Sequence, residues 1–313
     1  MDRVQTASRQ YLLGSLMVLL GALGFSSKAV LVKLAYSYSA LLDASMLMAL
    51  RMLFSLPFFL AVALWLRQRR GVSPPAFRDM GAIALLGVMG FYVAGYLDFA
   101  GLAYIPAGLE RLILFLYPTL VVMLAAVFYR SPITMRIGAA LALSYFGTAV
   151  VFFQPLPVAP PQLSLGALLV FGSALVFALY TLLSGVQMRR SGSVVFTAYA
   201  MTAASLAAVA HYVIGHGTAL PDLPPQVYAL AALMALLSTV LPAFLMHAGI
   251  HRIGAGQASM IGSIGPVMTL YLAWVFLEEQ VGMIQLVGTA MIIAGVLLIS
   301  RGAGQTRKTE EGR

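Results

Sequence analysis

The chain has 313 residues, of which 61% are hydrophobic and 9% charged, with a net charge of +9 and no cysteine. A soluble domain carries about a quarter charged residues, so a soluble globular fold is excluded. The missing cysteines exclude disulfides, thiolate metal sites and cysteine nucleophiles.

Apolar runs of roughly 20 residues recur from end to end, the length that crosses ~30 Å of hydrocarbon. The ~10-residue alternation of a membrane β-barrel does not occur. The predicted fold class is therefore all-α: a polytopic membrane protein with ten transmembrane helices. Taken in order, the spans are predicted at 11–33, 44–66, 80–100, 106–129, 136–153, 164–186, 194–215, 227–248, 256–277 and 281–300. The polar stretch Asp2 to Gln10 precedes an apolar run too long for a signal-peptide core, and no small-residue cleavage site follows it. The first helix is thus read as uncleaved. Ser73-Pro74-Pro75, the Pro-rich Gln154 to Gln162, and Pro221 to Pro225 punctuate the spans, because proline cannot continue a helix.

Alternate connections differ in charge. One set, with both chain ends, holds Arg3, Arg9, Arg67, Arg69, Arg70, Arg78, Arg130, Arg136, Arg189, Arg190, Arg252, Arg301, Arg307, Lys308 and Arg313, which is 15 of the 19 Lys and Arg. The opposite set holds none and carries Asp43, Asp222, Glu278 and Glu279. This bias predicts both termini in the cytoplasm. It also accounts for the positive charge without a nucleic-acid partner.

The stretch from Tyr104 to Gly147 is written twice. A shift of 148 residues carries Ile105, Ala107, Gly108, Pro118, Ala125, Val127, Ala142 and Gly147 onto Ile253, Ala255, Gly256, Pro266, Ala273, Val275, Ala290 and Gly295, without a gap. A shift of 152 carries Gly14, Val18, Ala22, Leu23 and Phe25 onto Gly166, Val170, Ala174, Leu175 and Phe177. An internal duplication follows, with a first repeat at 11–153 and a second at 164–300. Five spans per copy is an odd number, so the second copy enters the membrane from the opposite side. A 5+5 inverted repeat is characteristic of transporters, with the substrate site near the midplane between the halves.

Ten spans in this pattern, Leu50-Arg51-Met52 in the second span, Ala107-Gly108 and Pro118 in the fourth, and Leu277-Glu278-Glu279 after the ninth resemble the drug/metabolite transporter superfamily, in particular its bacterial EamA-type ten-helix exporters. Two departures stand out. The Trp-Gly of the first span is Leu23-Gly24 here, and the Gly-Glu turn after the fourth span is Tyr129-Arg130-Ser131. The resemblance implies a central cavity lined by spans 1–4 and 6–9, with spans 5 and 10 bracing the outside. It also implies export of small metabolites such as amino acids across the bacterial inner membrane by alternating access.

A charge within hydrocarbon must face the bundle interior, pair, or touch water. That draws attention to Lys28, Arg51, Asp98, Glu110 and Arg111; Lys33 and Asp43 lie near span ends and can snorkel. Lys28, Asp98, Glu110 and Arg111 are predicted to hold a zwitterionic or anionic substrate group or to shuttle a proton, against a self-neutralising network that ties spans 1 to 4 together. Glu110 and Arg111 diverge by ~100° around their helix, so one must pair across helices. Tyr92 and Tyr96, with Phe99, form a stripe on span 3 that serves as core or as an aromatic substrate platform. In the second copy Lys28 becomes Tyr180 and Asp98 becomes Met246; these two, with His247, complete the substrate-binding set on a neutral inner side. Pro118 and Pro266 occupy equivalent places and are the candidate hinge.

No metal or cofactor motif is found. His247 and His251, and His211 and His216, have no companion ligand in sequence, and Gly254 to Ser259 reads as a turn, not a phosphate loop. The expected partners are a small metabolite, the lipid bilayer and, through Glu110 and Asp98, protons. The stripe Gly282, Gly288 and Gly295 on span 10 fits close helix packing or a homodimer contact. A channel or scaffold subunit is the alternative function. An intramembrane hydrolase lacks both Gly-x-Ser-x-Gly and HExxH, and the absence of a Walker motif excludes ATP hydrolysis by this chain.

Overall fold

A computed structural model of the chain describes residues 2–68, 75–130, 133–153, 162–218, 222–253, 258 and 261–311. Among them there are helices and no strands. The helices are α1 (Asp2–Tyr38), α2 (Ala44–Gln68), α3 (Phe77–Leu102), α4 (Ala107–Tyr129), α5 (Met135–Phe152), α6 (Leu163–Ser191), α7 (Ser193–His216), α8 (225–253), α9 (Gly265–Leu277) and α10 (Met283–Glu311). Seven are long and apolar enough to cross a membrane, and α5, α9 and α10 supply shorter apolar stretches. Each predicted span overlaps one of these helices; α9 begins at Gly265, inside the predicted span 256–277, whose residues 256–257 and 259–260 lie outside those described. The chain is a polytopic, all-α membrane protein.

Local chemistry sets the boundaries. Asp43 caps α2: its carboxylate accepts hydrogen bonds from Ser45 Oγ at 2.7 Å and the Met46 N–H at 2.8 Å. Gly192 both ends α6 and starts α7 with φ +81°, a conformation open to glycine without a Cβ clash. Pro118 and Pro266 each stand at the start of a helical segment that follows a two-residue turn. Proline lacks the N–H that would continue the preceding helix.

Further features recur at equivalent places in the two copies. α4 ends on Arg130 (φ +51°) and α9 on Glu278 (φ +56°), both left-handed and both non-glycine. That conformation costs an L residue roughly 1–2 kcal/mol. α3 contains a π segment at Val88–Val93, and α8 contains one at Met234–Val240.

Two compact units arise, each drawing segments from both copies. The first comprises Met1–Val30, Ala107–Ala159 and Leu241–Arg313; the second comprises Leu31–Pro106 and Pro160–Val240. In the first unit α5 packs along α10 through the glycine stripe. A Cβ on Gly288 would press on Val151 and the Gly147 carbonyl, and one on Gly295 would press on Ser144 and the Ala140 carbonyl. These two glycines are thus used within the unit, while Gly282 has nothing within 4 Å. In the second unit α2 packs on α7, and α3 on α6 and α7. There the Gly87 position lies against the Ala200 backbone and Ser173 donates to the Ala94 carbonyl at 2.7 Å.

Candidate functional site

In the first unit, small residues bring α1 onto the second half of α8. A Cβ on Gly14 would stand 2.6 Å from Ile253 Cγ2, and one on Gly21 2.8 Å from Met246 Cγ. Met246 therefore fills the groove that Gly21 leaves. One turn further, Ser26 ties α1 to α9. Its hydroxyl is shared between the carbonyls of Ala22 (2.7 Å) and Gly265 (3.1 Å), and Thr269 Oγ1 donates to the Ser26 carbonyl at 3.1 Å. The clasp fixes the turn that carries Lys28.

Lys28 Nζ lies 3.3 Å from Glu110 Oε1 on α4. The Glu110 side chain is fully buried and that of Lys28 is 15% exposed. Arg111 leaves α4 in another direction, and its Nη2 is 2.8 Å from where a Cβ would stand on Gly265. Glycine at 265 is what admits the guanidinium beside the start of α9. Among the described residues, the buried Arg111 Nε has no hydrogen-bond partner. The divergence expected of Glu110 and Arg111 is resolved in this way: one meets α1, the other α9. The three side chains carry one positive charge in excess, set among apolar helices where charge is only weakly screened.

The second unit holds Asp98, Tyr92, Tyr96 and Tyr180, with Arg51. Arg51, 6% exposed, places its guanidinium over the Phe99 ring at 4.8 Å, and the charge of the buried Asp98 acts on it. Tyr36 donates to the Phe99 carbonyl at 2.8 Å and Lys33 to the Leu102 carbonyl at 3.3 Å, both at the end of α3. The predicted Tyr92, Tyr96 and Phe99 stripe is divided. Phe99 is fully buried beneath Arg51, whereas Tyr92 and Tyr96 flank His211 of α7 with ring centroids at 5.8 and 5.2 Å. Tyr92 falls within the π segment, yet its ring stays 6.5 Å from that of Tyr96. Tyr180 sits in a core cluster with Ile83, Leu86, Phe196 and Ala200, and Phe91 packs edge-on at 5.1 Å. Its neighbours there are mostly apolar, with the Ser184 hydroxyl in hydrogen-bond contact.

His247 lies on α8, but its side chain and that of His251 are outside those described, as is most of the predicted turn Gly254 to Ser259. An apolar groove of about 710 Å³ between α9 and α10, walled in part by Tyr271, Trp274 and Leu286, includes none of the predicted site residues. Sequence reasoning missed Ser26, Gly265, Thr269 and His211. The only signal for the first three was the small-residue character of their helix faces.

At one end of the second unit His216 Nε2 is 2.9 Å from Asp43 Oδ2, and the Tyr212 ring stacks on His216. Burial pushes the Asp43 carboxyl up, but hydrogen bonds from Met46 and Ser45 and the adjacent His216 outweigh it and hold the group below its ordinary 3.8. A depressed carboxylate contributes stability above its unfolded pKa and loses it as pH falls through the folded value. Asp43→Asn is thus expected to lower the thermal midpoint slightly at neutral pH and to shallow its decline below about pH 4. Unfolding in detergent across that range checks both.

The comparisons agree with this architecture. The model of the EamA-like transporter family matches twice, at residues 12–153 and 164–301. The uncharacterized transporter YcbK of Bacillus subtilis (strain 168) is 30% identical over 99% of this chain and 98% of its own. A probable terminal-alkyne amino-acid exporter of Streptantibioticus cattleyicolor is 29% identical over 74% of this chain and 76% of its own. One solved crystal structure shares the fold, with a TM-score of 0.59 at 18% identity, covering 91% of this chain and 96% of that one. A double match over nearly the whole length leaves no other assignment: the chain belongs to the EamA-like transporter family.

Proposed function

We propose that this transporter exports small zwitterionic metabolites, amino acids among them, across the bacterial inner membrane by alternating access, with both termini in the cytoplasm. The observation that carries the reading is the Lys28–Glu110 pair with Arg111 beside it. A substrate carboxylate competes with Glu110 for the ammonium of Lys28, while the freed Glu110 accepts the substrate ammonium or a proton. The surplus positive charge favours the carboxylate end. A relative named as a probable amino-acid exporter supports this substrate class. The duplicated Pro118 and Pro266 breaks are the places where α4 and α9 can bend between states.

A thermal-shift screen of the purified protein tests the substrate class. Amino acids with both charges free are expected to raise the midpoint, and their amides or N-acyl derivatives to do so far less. Equal shifts from charged and blocked ligands would refute the ionic recognition.

A further inference from the structure

We propose that Glu279 is a positioning residue for the Lys28–Glu110 site, acting through the first turn of α4; this rests on the export reading above. α9 closes with Glu278 in the left-handed conformation, and the Glu279 N–H reaches back to the Ala273 carbonyl at 3.2 Å. With Glu278 left-handed, this bond closes the C-terminal end of α9. It directs the Glu279 carboxylate at the start of a helix more than 170 residues away in sequence. Oε1 accepts the Ala107 N–H at 2.8 Å and Oε2 accepts the Gly108 N–H at 3.1 Å. Both donors belong to the first turn of α4, whose N–H groups have no partner inside their own helix. A carboxylate there is favoured by the charge-assisted bonds and by the helix dipole.

Gly108 makes the approach possible. A Cβ would lie 2.5 Å from Gln285 Nε2 and 2.7 Å from Leu270 Cδ2, so the turn is held directly against α9 and α10. Glu110 is two residues further along the same turn. The position of that turn therefore sets the reach of Glu110 to Lys28. The two copies of the sequence differ at this joint in a consistent way. In the 148-residue frame Ala107 and Gly108 fall on Ala255 and Gly256, but Glu279 falls on Ser131 and Glu110 on Ala258. The acidic clasp and the acidic site residue occur at the same joint, and both are replaced at its counterpart. The Lys33 and Asp43 contacts stabilise helix ends as well, but neither reaches the turn that bears Glu110.

Two measurements on the full-length protein decide the matter. In exchange assays, Glu279→Ala is expected to raise KM about tenfold with a smaller change in Vmax, and Glu279→Gln, which keeps one acceptor oxygen, to recover part of the loss. In a double-mutant cycle of thermal midpoints, Glu279→Ala and Lys28→Met are expected to be non-additive. An unchanged KM, or a lowered midpoint with full additivity, would make Glu279 a cap only and overturn the proposal. The cycle requires no transport, so failure of the wild type to exchange substrate would refute the export reading while the cycle still judges the clasp.

Discussion

Glu110→Gln is expected to lower substrate exchange by at least about a hundredfold and to remove its dependence on pH. Glu110 is fully buried and 3.3 Å from the ammonium of Lys28. Removing one member of a buried pair typically costs about 3–5 kcal/mol, because the other charge is left in a medium that solvates it poorly. A glutamine also cannot carry a proton or neutralise a substrate ammonium. The effect on stability must be separated from the effect on transport, and the double variant Lys28→Met/Glu110→Leu does so. With both charges gone, its thermal midpoint is expected to approach that of the wild type while exchange stays absent. Recovery of exchange in the double variant would reduce the pair to a structural tie.

The second large effect belongs to Arg51. Arg51→Met is expected to destabilise the protein by about 3 kcal/mol, read from unfolding in detergent. Arg51 is 6% exposed, and its guanidinium lies on the Phe99 ring and acts on the buried Asp98. Its loss removes a cation–π contact of about 1–2 kcal/mol in a desolvated site and withdraws a counter-charge from Asp98. Adding Asp98→Asn is expected to return part of the loss, since the carboxylate then no longer requires a cation. A midpoint unchanged by Arg51→Met would show that Asp98 is stabilised without it.

Much of this was legible because hydrocarbon penalises polarity so strongly. Roughly 20-residue apolar runs give the helices, and the cost of an intramembrane charge gives Lys28 and Glu110 as residues that must be met. The structure then shows them meeting each other. The shared Gly and Pro positions set residues 11–153 against 164–300, and the two family-model matches fall at 12–153 and 164–301.

What escaped the sequence depends on contacts between distant segments. Glu279 reads as one more acidic loop residue until its bonds to Ala107 and Gly108 are seen. The π segments at Val88–Val93 and Met234–Val240 leave no compositional mark. Tyr180, aligned with Lys28 by the 152-residue shift, stands in a core cluster that only the packing of distant segments reveals.

Counterflow in proteoliposomes tests the central claim most directly. Vesicles preloaded with an unlabelled amino acid should take up the labelled species transiently against its gradient, with saturation in concentration, and Glu110→Gln should abolish the overshoot. Uptake that rises linearly with concentration, shows no overshoot and is indifferent to Glu110→Gln would contradict a carrier built around the Lys28–Glu110 pair.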